Sequence, residues 1–306
     1  MRIQISANNT CQLDCKWCVR DKGKPEVMGL NVFEYVIDEF TDTFGNISLV
    51  DMTPITGELT QNPEWREMLE YLYENDYIEK FDFVTNFIDF SLIDILKLMT
   101  YKDKFEMIIS VYGHDRESYI ESTGVDKWDG FIESLTLLEE ALSIREYEGF
   151  PVTFYFRHKP FDEFPVDSFA YKFIKAIQVI SKSPVRFDNS MANMNHNWAG
   201  QVDVPAPVPA HPRIGAHAPT CVHAILQNCV LPNGDITLCG MNDYKGELII
   251  GNIFHQSLPE IYSRDSLYAL YTMQHPPLCT RCTEYDAKDT EPEDVKAHED
   301  KLNKIR

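Results

Sequence analysis

Cys11, Cys15 and Cys18 are spaced C-x3-C-x2-C in a segment that directly follows a strand-like run at 2–7. Three thiolates this close in sequence can wrap one iron–sulfur cube and hold three of its four irons. The fourth iron then keeps a coordination position open to a substrate or cofactor. A zinc knuckle is the alternative, but structural zinc takes four protein ligands and no fourth cysteine stands nearby in sequence. The other five cysteines, Cys221, Cys229, Cys239, Cys279 and Cys282, all lie in the last third of the chain. Gly234 and Cys239 form G-x4-C, and Cys279 and Cys282 form C-x2-C. A four-cysteine zinc site is the competing reading for this second set.

The elements that must position these groups can be read from hydrophobic periodicity. Strands are expected at 2–7, 47–52, 81–85, 106–111, 151–157 and 184–188, with helices at 31–44, 63–75, 90–100, 115–122, 130–147 and 165–181. Pro63 and Pro165 each suit a first helical turn. Phe169, Phe173, Ile177 and Ile180 recur at helical spacing, as a face packed on a sheet would. Six strand–helix repeats imply an α/β fold with a parallel sheet and helical crossovers, which carries its ligands at the carboxyl ends of the strands. The pattern breaks at 189–220, where five prolines between Pro205 and Pro219 favour an extended connector. Beyond it, 224–239 reads as a hairpin around Pro232-Asn233-Gly234-Asp235, followed by a strand at 247–250 and a helix at 257–272. The expected domains are 1–190, a connector at 191–220, a small C-terminal module at 221–282 and a charged tail at 283–306.

The 306 residues carry 28 basic and 48 acidic side chains, a net charge of −20. A field of that sign repels phosphate backbones and anionic lipid, so neither nucleic acid nor membrane is an expected partner. No apolar run approaches the roughly 18 residues of a bilayer span, and the chain opens on a strand without a basic, apolar leader. The expected location is the cytoplasm, where thiols stay reduced and cysteines serve metal or redox chemistry.

The triplet, with Trp17 just before its third cysteine, resembles the radical S-adenosylmethionine (AdoMet) superfamily. That resemblance implies a partial (β/α)6 open barrel, with a 4Fe–4S cluster on Cys11, Cys15 and Cys18 that binds AdoMet and cleaves it to a 5′-deoxyadenosyl radical. It also implies roles for further positions. Thr56-Gly57-Glu58 resembles the family's Gly-Gly-Glu segment, which receives the cofactor's amino group; Thr56 replaces the first glycine and Leu59 the usual proline. Thr85-Asn86 stands where the family often has Thr-Asn-Gly. Ser110 and Arg157 fall at strand positions that often contact the ribose or carboxylate. Trp17, Gly57, Glu58, Asn86, Ser110 and Arg157 are thus the expected cofactor-binding residues. A satisfied strand-end polar group is the plainer reading of Asn86, Ser110 and Arg157 taken singly. His114, in the run Tyr112–Gly124, reads as a loop or helix-cap residue.

The C-terminal set resembles the twitch module, the shortened form of the SPASM extension, which holds one auxiliary 4Fe–4S cluster. On that resemblance Cys221, Cys239, Cys279 and Cys282 are its four ligands. Cys229 is left over, either as a small core side chain or as a hydrogen-atom donor of the kind radical epimerases use. Asn197-Trp198-Ala199-Gly200 resembles a segment usually written Asn-Arg-Ala-Gly. Its arginine contacts substrate in the aminocyclitol dehydrogenase branch, and Trp198 replaces it here. Asn193, Asn195 and His196, with His211, Arg213 and His217 in the connector, are weaker polar candidates. The expected function is an enzyme that abstracts hydrogen from a small polar substrate, sugar- or aminocyclitol-like, and oxidises it with help from the auxiliary cluster. A flavodoxin- or ferredoxin-type protein would supply electrons. A redox-neutral epimerase using Cys229, a peptide-modifying maturase and a non-catalytic metal-binding scaffold are the alternatives.

Overall fold

The apolar runs alternate with amphipathic ones, and the computed structural model folds them accordingly. It describes residues 1–19, 23–144, 150–180, 185–189, 198, 201–202, 228–262, 277–280 and 282. In chain order the first elements are β1 (Arg2–Ile5), α1 (Leu30–Phe44), β2 (Leu49–Asp51), α2 (Trp65–Glu74), β3 (Phe81–Thr85), α3 (Leu92–Thr100) and β4 (Phe105–Val111). There follow α4 (Arg116–Thr123), α5 (Trp128–Leu142), β5 (Val152–Phe156), α6 (Phe169–Ile180) and β6 (Val185–Asp188). The C-terminal part adds β7 (Cys229–Val230), β8 (Asp235–Thr237), β9 (Ile249–Asn252), α7 (Leu258–Ile261) and α8 (Pro277–Thr280). All six strands expected in the first 190 residues are present.

Two compact units result, one of residues 1–10, 19–79 and 195–306, the other of 11–18 and 80–194. In the first unit β1 lies between β2 and β7, parallel to both. β7, β8 and β9 continue as an antiparallel meander. Gly234, at φ 82°, closes the β7–β8 turn with its N–H on the Leu231 carbonyl, where only glycine escapes the left-handed penalty. α1 buries Phe33, Val36, Ile37 and Phe40, one stripe of an amphipathic helix. The Phe40 and Phe44 rings meet Tyr262, beside α7, edge-on at 6.4 and 5.8 Å.

The second unit is an open parallel sheet, β3–β4–β5–β6, with one-to-one register from Phe81↔Phe105 onward. Period-2 burial puts Phe81, Phe83, Phe105, Phe154 and Phe156 in its core. Capping boxes set two helix starts, Ser91 with Asp94 for α3 and Asp115 with Ser118 for α4.

Several expectations are corrected. α2 and α6 begin at Trp65 and Phe169, so neither Pro63 nor Pro165 opens a helix. α5 ends at Leu142 rather than 147. The buried face of α6 is Ala170, Ile174 and Ile177, whereas Phe169 is 46% exposed. Phe169 and Phe173 instead stack on each other at 5.0 Å on the flank of the helix. The remainder of the 257–272 helix beyond Tyr262, the 191–220 connector and the 283–306 tail lie, save for 198 and 201–202, outside the described residues.

Candidate metal and cofactor sites

The cysteine triplet belongs to the second unit, where its loop is seated on the end of α4. Asp14 N–H donates to the Thr123 carbonyl at 3.0 Å, Lys16 N–H to the Ser122 carbonyl at 3.1 Å, and Cys18 N–H to the Cys15 carbonyl at 2.9 Å. Gly124 caps α4 at φ 71°, and a Cβ there would stand 2.6 Å from the Asp14 carbonyl oxygen. Glycine is therefore required twice over, by conformation and by contact. All three cysteines are half-buried. Cys11 Sγ accepts from Leu13 N–H at 3.5 Å and from the Asn86 amide at 3.7 Å.

Asn86 is thus turned toward the cysteine loop; its Oδ1 accepts from Gln12 and from Ile88 N–H. Phe87 follows with φ 56°, at the position where the resembled motif carries glycine. Ser110 and Arg157, expected separately, are brought together: the Arg157 Nε donates to Ser110 Oγ at 3.4 Å, while its guanidinium lies over the Tyr155 ring. Trp17 lies under the Lys16 ammonium at 4.6 Å.

Tyr112 was read from sequence only as the start of the run 112–124, not as a site residue. Desolvation, then the nearby Cys15 charge, push its phenol well above the ordinary tyrosine range, while Arg157 and Ser110 act in the opposite sense. Its parity with Ser110 at the end of β4 was the signal that could have found it. His114 and His158 also meet, with ring centroids 6.1 Å apart. Their Nδ1 atoms contact Ser118 and Ser122. Burial lowers both imidazoles below their usual value of 6.5.

In the first unit Asn8, Gly57 and Glu58 form a polar turn. Asn8 donates to the Glu58 carbonyl at 2.9 Å, and a Cβ on Gly57 would collide with Asn8 Oδ1 at 2.4 Å. Asn8 Oδ1 is buried without a partner among the described residues, and Glu58 is only 3% exposed. Acceptors of this kind fit an ammonium.

The second cysteine set gathers in the same unit. Cys239, Cys279 and Cys282 pack against the buried cluster of Leu238, Leu248 and Leu278. The loop after Cys239 is fixed by buried Asp243, which accepts from Glu247 N–H at 2.7 Å and Leu248 N–H at 2.8 Å. The Gln4 amide donates to the Gly240 carbonyl at 3.1 Å and to that of Thr53 at 2.8 Å. Asn242 Nδ2 donates to Cys282 Sγ at 3.2 Å. Cys221, the fourth expected ligand, lies outside the described residues, as do Asn193, Asn195, His196, His211, Arg213 and His217. Among the described residues no three His, Cys, Asp or Glu come together as ligands of a single ion; thiolates on a cube each take a different iron.

Cys229 is wholly buried in β7, paired with Gln4 and Thr237. Burial, with Asp51 nearby, pushes its thiol well above the ordinary range. This is the environment of a core side chain. Trp198, at φ 49°, meets the Tyr244 ring edge-on at 6.4 Å, and Gln201 donates to the Asn242 carbonyl.

Residues 221–283 match SPASM, an iron–sulfur cluster-binding domain. No curated protein matches the sequence at a significant level. Among solved structures, the chain is similar to BtrN in complex with AdoMet and 2-DOIA, at a TM-score of 0.59 and 14% identity over 96% of each chain. Streptococcus suis SuiB bound to precursor peptide SuiA gives 0.59 and 14% over 94% of this chain and 70% of that one. AdoMet-bound anSMEcpe gives 0.58 and 14% over 100% and 96%. The chain therefore has the mixed α/β fold of these structures, with a parallel sheet and an antiparallel C-terminal meander. It carries a SPASM-type iron–sulfur module at its C-terminal end.

Proposed function

We propose that the protein is a cytoplasmic radical AdoMet enzyme of the twitch type that oxidises a small polar, sugar- or aminocyclitol-like substrate. The observation that carries this reading is the convergence of Cys239, Cys279 and Cys282 on one apolar cluster; in the other unit, a C-x3-C-x2-C loop is anchored on α4. Cys11, Cys15 and Cys18 would hold one 4Fe–4S cluster, and Cys221, Cys239, Cys279 and Cys282 an auxiliary one. Loaded, the clusters supply one-electron chemistry, namely reductive cleavage of AdoMet to methionine and a 5′-deoxyadenosyl radical at the first and an electron acceptor at the second. A flavodoxin- or ferredoxin-type protein is the proposed reductant.

The chain's own residues bind and orient. Glu58 and Asn8 Oδ1 accept the N–H groups of the AdoMet ammonium, and Gly57 keeps that turn free of a side chain. Arg157, braced by Ser110 and by the Tyr155 ring, offers its guanidinium to a carboxylate or hydroxyl. Asn86 holds the cysteine loop through Cys11 and Gln12. Trp17 supplies an apolar wall.

A peptide substrate is the second reading, supported by the fold shared with SuiB bound to its precursor peptide and with anSMEcpe bound to Cp18Cys peptide. Epimerisation through Cys229 has no comparable support, because that thiol is enclosed.

The test is anaerobic iron and sulfide analysis of reconstituted protein beside a Cys11/Cys15/Cys18→Ala variant, with 5′-deoxyadenosine assayed after reduction. About eight irons are expected, falling to about four in the variant, with nucleoside formed by the parent alone. Four irons falling to none would remove the auxiliary cluster and the oxidation with it. Aminocyclitols and peptides, offered separately, distinguish the substrate classes by which of them stimulates nucleoside formation.

A further inference from the structure

Asn242 is only 2% exposed, yet its side chain is polar at both ends. Its Nδ2 points at Cys282 Sγ, 3.2 Å away. Its Oδ1 is buried and finds no partner among the described residues. Reversing the amide would set a carbonyl oxygen against a sulfur that must be ionised to bind iron, so the observed orientation is the one a thiolate ligand requires. An amide whose acceptor is left unsatisfied while its donor faces sulfur is poorly explained by packing alone. The residue is also held from behind, since its carbonyl oxygen accepts from Gln201 Nε2 at 3.3 Å and neighbouring Asp243 is locked by backbone donors.

We propose that Asn242 is a positioning residue that sets the reduction potential of the auxiliary centre through its hydrogen bond to Cys282; this rests on the cluster assignment above. A donor on a ligand sulfur withdraws charge from the thiolate. It favours the reduced cluster, which carries one more negative charge, and so raises the potential. Burial strengthens the effect, because no water competes for the sulfur. Asn242 thereby makes the auxiliary centre a better acceptor of the electron that substrate oxidation releases.

The experiment uses the full-length chain with Cys11, Cys15 and Cys18 changed to Ala, so that only the auxiliary cluster is observed. The ratio of reduced to oxidised cluster is read by electron paramagnetic resonance at a fixed poise. Asn242→Ala is expected to lower that ratio about tenfold, equivalent to 59 mV for a one-electron couple, with four irons retained. Asn242→Leu, with the same branched heavy-atom skeleton but without a donor, is expected to do the same. An unchanged ratio in either variant that holds four irons overturns the proposal. Loss of iron from both also overturns it, because Asn242 would then be needed only to build the site. A parent without iron or sulfide would instead refute the cluster assignment on which the proposal stands.

Discussion

Burial lowers the His114 and His158 imidazoles below the ordinary histidine value, and Lys159 acts in the same direction on both, while Asp115 and Glu121 oppose it. A histidine whose folded value lies below its unfolded value binds fewer protons in the native state, so stability rises with pH across the interval between the two. This contribution is complete above about pH 6.5 and is lost as pH falls through the lowered folded values. Urea midpoints measured anaerobically at pH 5.5, 6.5 and 7.5 are expected to fall toward acid, with a flatter dependence in a His114→Gln/His158→Gln double variant. An equally steep dependence in that variant would assign the acid loss elsewhere. The pairing of these histidines was not legible in sequence, because they stand 44 residues apart and meet only through the parallel register of β4 and β5. The cysteine triplet was legible because its spacing is local, whereas the contact of Asn86 with Cys11 needed the fold to bring position 86 back to position 11.

At the scale of elements, the first cluster loop has little regular structure and borrows rigidity from α4. Gly124 is the point of closest approach, with a left-handed backbone and no room beside the Asp14 carbonyl. Gly124→Ala is expected to cost about 1–3 kcal/mol through the unfavourable conformation, with the contact adding to it. Iron should fall from about eight to about four while the auxiliary cluster stays; full iron content with unchanged urea stability would show that the loop does not depend on this seat. Strand positions were legible because β3 and the first five residues of β4 alternate on a period of two, and β5 keeps Val152, Phe154 and Phe156 buried on one face. The buried face of α6 was misread because Phe169 and Phe173 stack on each other beside the helix and leave the sheet to Ala170, Ile174 and Ile177. Hydrophobicity marked the stripe but not which edge of it turns inward. Phe87 is a local conflict of another kind: a fully buried aromatic side chain is held at φ 56°, where burial outweighs a backbone cost of about 1–3 kcal/mol.

Across the whole molecule, the second cysteine set was read as part of a separate C-terminal module, yet β7 is hydrogen-bonded to β1, and Gln4 reaches Gly240 across 236 residues of sequence. Strand pairing between chain ends leaves no local trace in either segment, so composition alone could not reveal it. Among the described residues no helix is long and apolar enough to cross a membrane. The β1–β7 ladder also has a temporal meaning. On a ribosome adding roughly 5–20 residues per second, β1 emerges tens of seconds before β7 has been made. Throughout that interval one side of β1, with the apolar Ile3 and Ile5, is an unpaired sheet edge, the kind of surface that templates aggregation. A chain stopped at residue 227 is therefore expected to scatter light and bind chaperone where the full chain does not, and a clear, monodisperse truncation product would contradict this. Synthesis of the auxiliary-cluster segment is thus also the event that closes this edge of β1.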